Sequence, residues 1–343
     1  FALIFWPGIF SSTFGLSSGF TFISAFCFSD ILKFKQKLFK KSFILIFMKI
    51  TFLGTSSMIP TKDRNHNSIL FDYNTEHILV DCGEGTQRQF RVGNINPVKI
   101  TKILISHWHG DHVLGLPGLL QNLSRHNYNK VLEVYGPKGT ENFFKNMLNW
   151  FYTDVKLKIK IKEVDEGVFF ENEDFILKAT KLNHSVPCLG YSFIEKDKRK
   201  ININYLKKFG LKNNPIIREL QKGKDITWKG NRIKNKLATK IKKGKKVTFI
   251  LDTGFTNNII KLAKDSDLLV CESTHSDELK EKAEAYSHLT AKRAGEIAEK
   301  AKVKELILTH FSQRYKDVGF LLKEAKKEFK NVKLANDFDS FEI

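Results

Sequence analysis

The sequence predicts an α/β fold of layered sheets covered by helices, and three observations carry that prediction. From Met48 onward, apolar runs of strand length alternate with amphipathic runs of helix length. The alternation fills two βα-rich halves on either side of an odd middle segment. Side chains that ligate metal collect at the ends of the expected strands, the edge where α/β folds place their sites.

In the first half, KITFLGT, SILFDY and HILVDCG read as strands, the last stopping at Gly83 and Gly85, and EGTQRQFRV reads as a helix. KILISH is a buried apolar strand and LGLPGLLQNLSRH starts a helix; LEVYGP is a strand and GTENFFKNMLNWF a helix. KLKIKIKEV alternates with period two, the mark of a half-buried strand, and EDFILKATKLNH and GYSFIEK continue the β pattern. The second half pairs KVTFILDTG with NNIIKLAKDS, DLLVCEST with LTAKRAGEIAEKA, and ELILTHFS with a helix from about Asp317 to Phe329, before VKLANDFDSFEI closes.

Composition narrows the class. Apolar content of 42% and charged content of 27% are those of a globular chain long enough for one or two domains. Cys27, Cys82, Cys188 and Cys271 form no CxxC pair, which argues against a disulfide framework and a cysteine-zinc knuckle and favours a reduced cytoplasmic setting. The net charge of +20 points to a polyanionic partner. Its placement is informative: residues 196–246 hold 19 Lys and Arg against Asp197, Glu219 and Asp225. Apolar residues such as Tyr205, Leu206, Phe209, Leu220, Ile226 and Trp228 interleave with these charges, so the segment is expected to fold as a small basic subdomain. Residues 1–47 look foreign: uncharged to Ser29, with 12 of the 30 phenylalanines, then five lysines. The favoured reading is a hydrophobic extension that is non-native or disordered; a membrane anchor is the second reading, and a signal sequence fits poorly because the charges follow the apolar run.

The stretch HWHGDH carries His107, His109, Asp111 and His112. Four ligands do not complete two zinc ions, each of which takes four or five partners. His184 in KLNHS, Asp252 in FILDTG and His310 in ILTHFS each follow an apolar run closely. We therefore expect His107, His109 and His184 on one zinc, Asp111, His112 and His310 on the other, and Asp252 as the bridge. His66, His77, His126 and His275 lack such a context and read as structural or surface residues.

From Met48 the chain resembles the metallo-β-lactamase superfamily, and within it the ribonuclease Z family of tRNA 3′-processing endonucleases. HxHxDH carries the first likeness. The second rests on IPTKDRNHNS, with Pro60, Lys62, Arg64 and Asn65 on a PxKxRN loop, on Glu272 in CEST, on His288 in YSHLTA and on THFSQRY. The resemblance implies a four-layer αββα sandwich over 48–195 and 247–343, and a basic flexible arm for tRNA inserted at 196–246. Here Asn214-Pro215 stands where the family's arm usually has Gly-Pro. It also implies two Zn2+ per subunit, pre-tRNA as substrate, a homodimer, and no membrane partner unless residues 1–47 are an anchor.

For the chemistry, the resemblance implies Asp111 as proton acceptor for the attacking water. It implies His288, oriented by Glu272, as the acid that protonates the leaving ribose 3′-oxygen. Lys62 and Arg64 are expected on tRNA, and Ser312 and Arg314, directly after His310, on the scissile phosphate. The expected product is a tRNA 3′-hydroxyl after the discriminator nucleotide. The rival readings are a small-molecule phosphodiesterase or arylsulfatase on the same fold, and a non-enzymatic nucleic-acid binder.

Overall fold

The computed structural model describes residues 48–150 and 156–343. The expectations for residues 1–47 lie outside them. The chain opens with β1 (Met48–Gly54), β2 (Ser68–Tyr73), β3 (Glu76–Val80), α1 (Thr86–Val92) and β4 (Lys102–Leu104). Next come α2 (Gly110–Val113), α3 (Leu116–Arg125), β5 (Val131–Gly136), α4 (Thr140–Asn149) and β6 (Lys158–Glu163). Then β7 (Gly167–Glu171), β8 (Phe175–Lys181) and β9 (Leu189–Glu195) run as an antiparallel meander.

Residues 196–246 carry β10 (Lys198–Ile201), α5 (Ile203–Lys207), α6 (Ile217–Gln221), β11 (Ile226–Trp228), β12 (Asn231–Ile233), α7 (Asn235–Ala238) and β13 (Thr239–Lys242). The last part runs through β14 (Lys246–Ile250), α8 (Asn257–Ala263), β15 (Leu268–Glu272), α9 (Lys280–Ala285), α10 (Ala291–Lys300), β16 (Leu306–Thr309), α11 (Gly319–Glu328), β17 (Val332–Leu334) and β18 (Ser340–Glu342).

Two seven-stranded sheets form, in the orders β18-β1-β2-β3-β4-β5-β6 and β17-β16-β15-β14-β9-β8-β7. Their inner faces meet through aromatic rings. Phe71 on β2 lies 4.8 Å from Phe193 on β9 and 5.9 Å from Phe249 on β14, and Tyr73 lies 5.8 Å from Phe175, all centroid to centroid. SILFDY thus uses its period of two in full: Ile69, Phe71 and Tyr73 alternate with Leu70, which joins the core beneath the helices. Phe90, Leu116, Leu119, Leu120, Leu123, Phe144 and Met147 pack that outer face. On the other sheet, Ile259 and Leu262 of α8, Ala294 and Ile297 of α10 and Leu321 of α11 do the same. The result is the four-layer αββα metallo-β-lactamase sandwich, built by burying both faces of each sheet.

The segment GVFFE forms β7, a strand that the sequence reading passed over, and the closing VKLANDFDSFEI splits in two. β17 extends one sheet and β18 pairs antiparallel with β1 in the other. Residues 196–246 bury a cluster of their own, Leu206, Leu211, Leu220, Ile226, Ile233 and Ala238. The β11–β12 turn has Lys229 at φ +48 and Gly230 at φ +77, the two positive values a two-residue hairpin turn uses.

Strand direction gathers the site. β14, β15 and β16 are mutually parallel, so their C-terminal ends share one edge. β9 is antiparallel to β14 and β8 antiparallel to β9, so β8 points the same way as β14 and ends at that edge too.

Candidate metal centre

The seven expected ligands come together at that edge. His107 follows β4, His109 immediately precedes α2, and Asp111 and His112 ride on α2. His184, Asp252 and His310 leave the ends of β8, β14 and β16. The ligand atoms of His107, His109 and His184 lie within 4.8 Å of one another, as do those of Asp111, His112, Asp252 and His310. Asp252 stands between the groups. Its Oδ2 is 3.8 Å from His107 Nε2 and 4.0 Å from His184 Nε2, while its Oδ1 is 3.3 Å from His112 Nε2 and 3.0 Å from His310 Nε2.

Hydrogen bonds behind the rings decide which nitrogen faces the centre. Asp81 accepts from His112 Nδ1 at 2.5 Å, so that ring carries its proton on Nδ1 and turns Nε2 inward. Ser106 Oγ gives its hydrogen to Asp81 at 2.6 Å and can only accept from His107 Nδ1 at 2.9 Å. Thr274 Oγ1 donates to Glu272 at 2.6 Å and accepts from His310 Nδ1 at 3.0 Å. The Ser287 carbonyl accepts from His184 Nδ1 at 3.2 Å. Four rings therefore point Nε2 at one place, and His109 adds Nδ1, 3.0 Å from His107 Nε2 and 3.2 Å from His184 Nε2.

Converging lone pairs repel unless a cation lies among them. His112 Nε2, His310 Nε2 and Asp252 Oδ1 are buried with no hydrogen-bond partner, and such orphaned atoms are costly unless something unites them. The carboxylates give the pocket a negative potential that draws in positive charge, either as protons on the rings or as a metal ion that displaces them. Burial pulls His310 down most, but Asp252 and Asp111 outweigh it and raise the ring to about 10. His112 is raised in the same way, against burial, by Asp252, Asp111 and Asp81. Asp252 sits well below the carboxylate range: burial pushes it up, and His310 and His112 more than reverse this. Burial and the neighbouring His112 hold His107 neutral, and burial lowers His184. The residues present fit a metal ion.

Beside the ligands, His288 Nδ1 lies 3.1 Å from Glu272 Oε1. Glu272 is fully buried and also accepts from Thr253 N–H at 2.8 Å. Burial lowers the His288 pKa, but Glu272 raises it further, so the ring favours its charged form. Ser312 and Arg314 line the cleft of about 700 Å³ over this centre, together with His66, His275, Lys282 and Tyr286. Burial and His288 push His275 down to about 4.

Arg64 departs from expectation. It is only 9% exposed, and its guanidinium turns inward to the Tyr315 carbonyl and over the Phe311 ring. Only the exposed Lys62 of that pair offers its charge to solvent. Asp81 ends the apolar run HILVDCG just as Asp252 ends FILDTG, so the signal is present in the sequence, but its task behind His112 depends on a fold contact and a backbone φ of +57 that no local pattern shows. His66 and His275, which carry no local signal of a site, both line the cleft.

Comparison with known proteins follows the same lines. The family described as anti-Pycsar protein Apyc1 matches residues 48–197. The chain is 38% identical over 298 residues to ribonuclease Z of Methanothermobacter thermautotrophicus, covering 86% of this chain and 97% of that one. It is 37% identical to ribonuclease Z of Bacillus cereus, covering 86% and 99%. Among solved structures, human tRNase Z, short form, superposes with a TM-score of 0.64 at 27% identity, covering 86% and 98%.

Proposed function

The chain belongs to the ribonuclease Z family, and we propose that it is an endoribonuclease that removes the 3′ trailer of pre-tRNA after the discriminator nucleotide. The observation that carries this reading is the seven-residue centre, held by oriented imidazoles, on a chain that matches nearly the full length of those relatives.

We assign two zinc ions per subunit, the first to His107, His109 and His184, the second to Asp111, His112 and His310, with Asp252 shared. Bound zinc supplies water activated near neutral pH and a clamp on phosphate oxygens. Asp111 receives the proton of the attacking water. His288 hands a proton from Nε2 to the leaving ribose 3′-oxygen, because Glu272 holds Nδ1. Ser312 and Arg314 face the scissile phosphate from the cleft wall, and Lys62 meets the tRNA backbone. Arg64 holds its loop instead of the substrate.

Residues 196–246 form the arm that grips tRNA by shape and phosphates. Their charge of +16 and their separate apolar cluster support this. The working unit is a homodimer, the arm of one subunit clasping the tRNA cut by the other, in the cytoplasm. No helix among the described residues is long and apolar enough to cross a membrane.

Salt tests the substrate class. Cleavage of a 3′-extended pre-tRNA under subsaturating conditions should fall steeply between about 50 and 200 mM salt, as counterion release requires. Hydrolysis of bis(p-nitrophenyl) phosphate should hardly change. Equal salt dependence on both would favour the small-molecule phosphodiesterase.

A further inference from the structure

The β1–β2 loop reaches the metal centre through one residue. Met58 lies at φ +26, a conformation costly for any residue with a Cβ. Its side chain is 74% exposed, so packing does not hold it there. Hydrogen bonds do: the Met58 N–H donates to Asp111 Oδ2 at 2.8 Å, and the Met58 carbonyl accepts from His66 Nε2 at 3.0 Å. Ser56 Oγ ties the next carbonyl, that of Ile59, at 2.8 Å.

A carbonyl only accepts, so His66 must carry its proton on Nε2. The ring is buried, and its Nδ1 has no hydrogen-bond partner. That is an expensive place for an imidazole used only as filling, since an apolar side chain would leave no orphan. The backbone is cleared for it as well. A Cβ at Gly83 would lie 2.5 Å from His66 Cβ and 2.3 Å from the Asp111 carbonyl oxygen. Three segments meet around one peptide, that of a residue lining the cleft.

We propose that His66 is a positioning residue for hydrolysis. Through the Met58 peptide it holds Asp111 Oδ2 toward His112 and His310, which stand 3.4 and 3.6 Å away, and leaves Oδ1 to take the proton of the attacking water. This rests on the reading of Asp111 as proton acceptor. His66→Leu removes the donor at similar bulk, and His66→Gln keeps an N–H at similar reach.

The test uses the full chain with zinc, on bis(p-nitrophenyl) phosphate and on a 3′-extended pre-tRNA. His66→Leu should lower kcat about 10- to 100-fold, the usual cost of losing such a partner. KM, zinc content and melting temperature should stay near wild type, and His66→Gln should recover most of kcat. The proposal is overturned if His66→Leu keeps wild-type kcat, or if His66→Gln is no better than His66→Leu. It is also overturned if the loss tracks lost zinc or lost folded protein. A wild-type enzyme that hydrolyses the diester but leaves pre-tRNA intact refutes the substrate assignment alone; the variants on the diester still decide the role of His66.

Discussion

At the scale of single residues, chemistry is divided between atoms that face the centre and atoms that aim them. Asp81, Ser106, Thr274 and the Ser287 carbonyl each consume an Nδ1–H and so turn a nitrogen lone pair inward. The task proposed for the Glu272–His288 pair differs, because its ring lines the cleft with Nδ1 already occupied. His288→Ala should therefore lower kcat on pre-tRNA about 10²- to 10⁴-fold, the usual worth of a general acid, with zinc content unchanged. Glu272→Gln should do less. Steady-state kinetics with metal analysis checks this; a variant that loses metal in proportion to activity would make His288 a ligand instead. The cluster of seven side chains was legible in the sequence because HWHGDH is dense and the other three end apolar runs. The inward turn of Arg64 was not legible, because burial of a cation depends on a distant carbonyl, that of Tyr315, which no local pattern reveals.

At the scale of elements, alternation of strands and helices was readable because each run had one clear period. The closing segment was not, since VKLANDFDSFEI changes sheets between β17 and β18 with no glycine or proline to mark the crossing. Asp337 pins that crossing. It accepts from Thr55 Oγ1 at 2.8 Å, Asn65 N–H at 2.7 Å and Gln89 Nε2 at 3.0 Å, tying the β1–β2 loop and α1 to the C-terminal segment. Burial nevertheless raises its carboxyl to about 6. A carboxyl raised on folding binds its proton more tightly in the native state, so ionising it weakens the fold. The stability of wild type relative to Asp337→Asn should thus shrink as pH rises from about 4 to about 7, by at most about 3 kcal/mol. Urea unfolding of both proteins across that range measures it. A difference that stays constant or grows with pH contradicts it.

At the scale of the whole molecule, a catalytic sandwich with balanced charge carries a segment of +16 that packs its own small core. Charge and apolar spacing made that segment visible in the sequence; its internal hairpin and helices were not, because its elements are three to five residues long. Replacing residues 196–246 by a short Gly-Ser linker should cut kcat/KM on pre-tRNA at least about 100-fold, while the rate on bis(p-nitrophenyl) phosphate stays within a few-fold. That contrast follows from counterion release at phosphates the small diester lacks. Equal losses on the two substrates would show that the segment supports the fold instead of the substrate. The central claim is sharper still: a metal centre that places one cut in one RNA. Incubation with a 3′-extended pre-tRNA, with and without chelator, followed by mapping of both ends, tests it most directly. The expected result is a chelator-sensitive cut just after the discriminator nucleotide, leaving a 3′-hydroxyl on the tRNA and a 5′-phosphate on the trailer. A cut elsewhere, a 2′,3′-cyclic phosphate, or cleavage that survives complete removal of metal would contradict it.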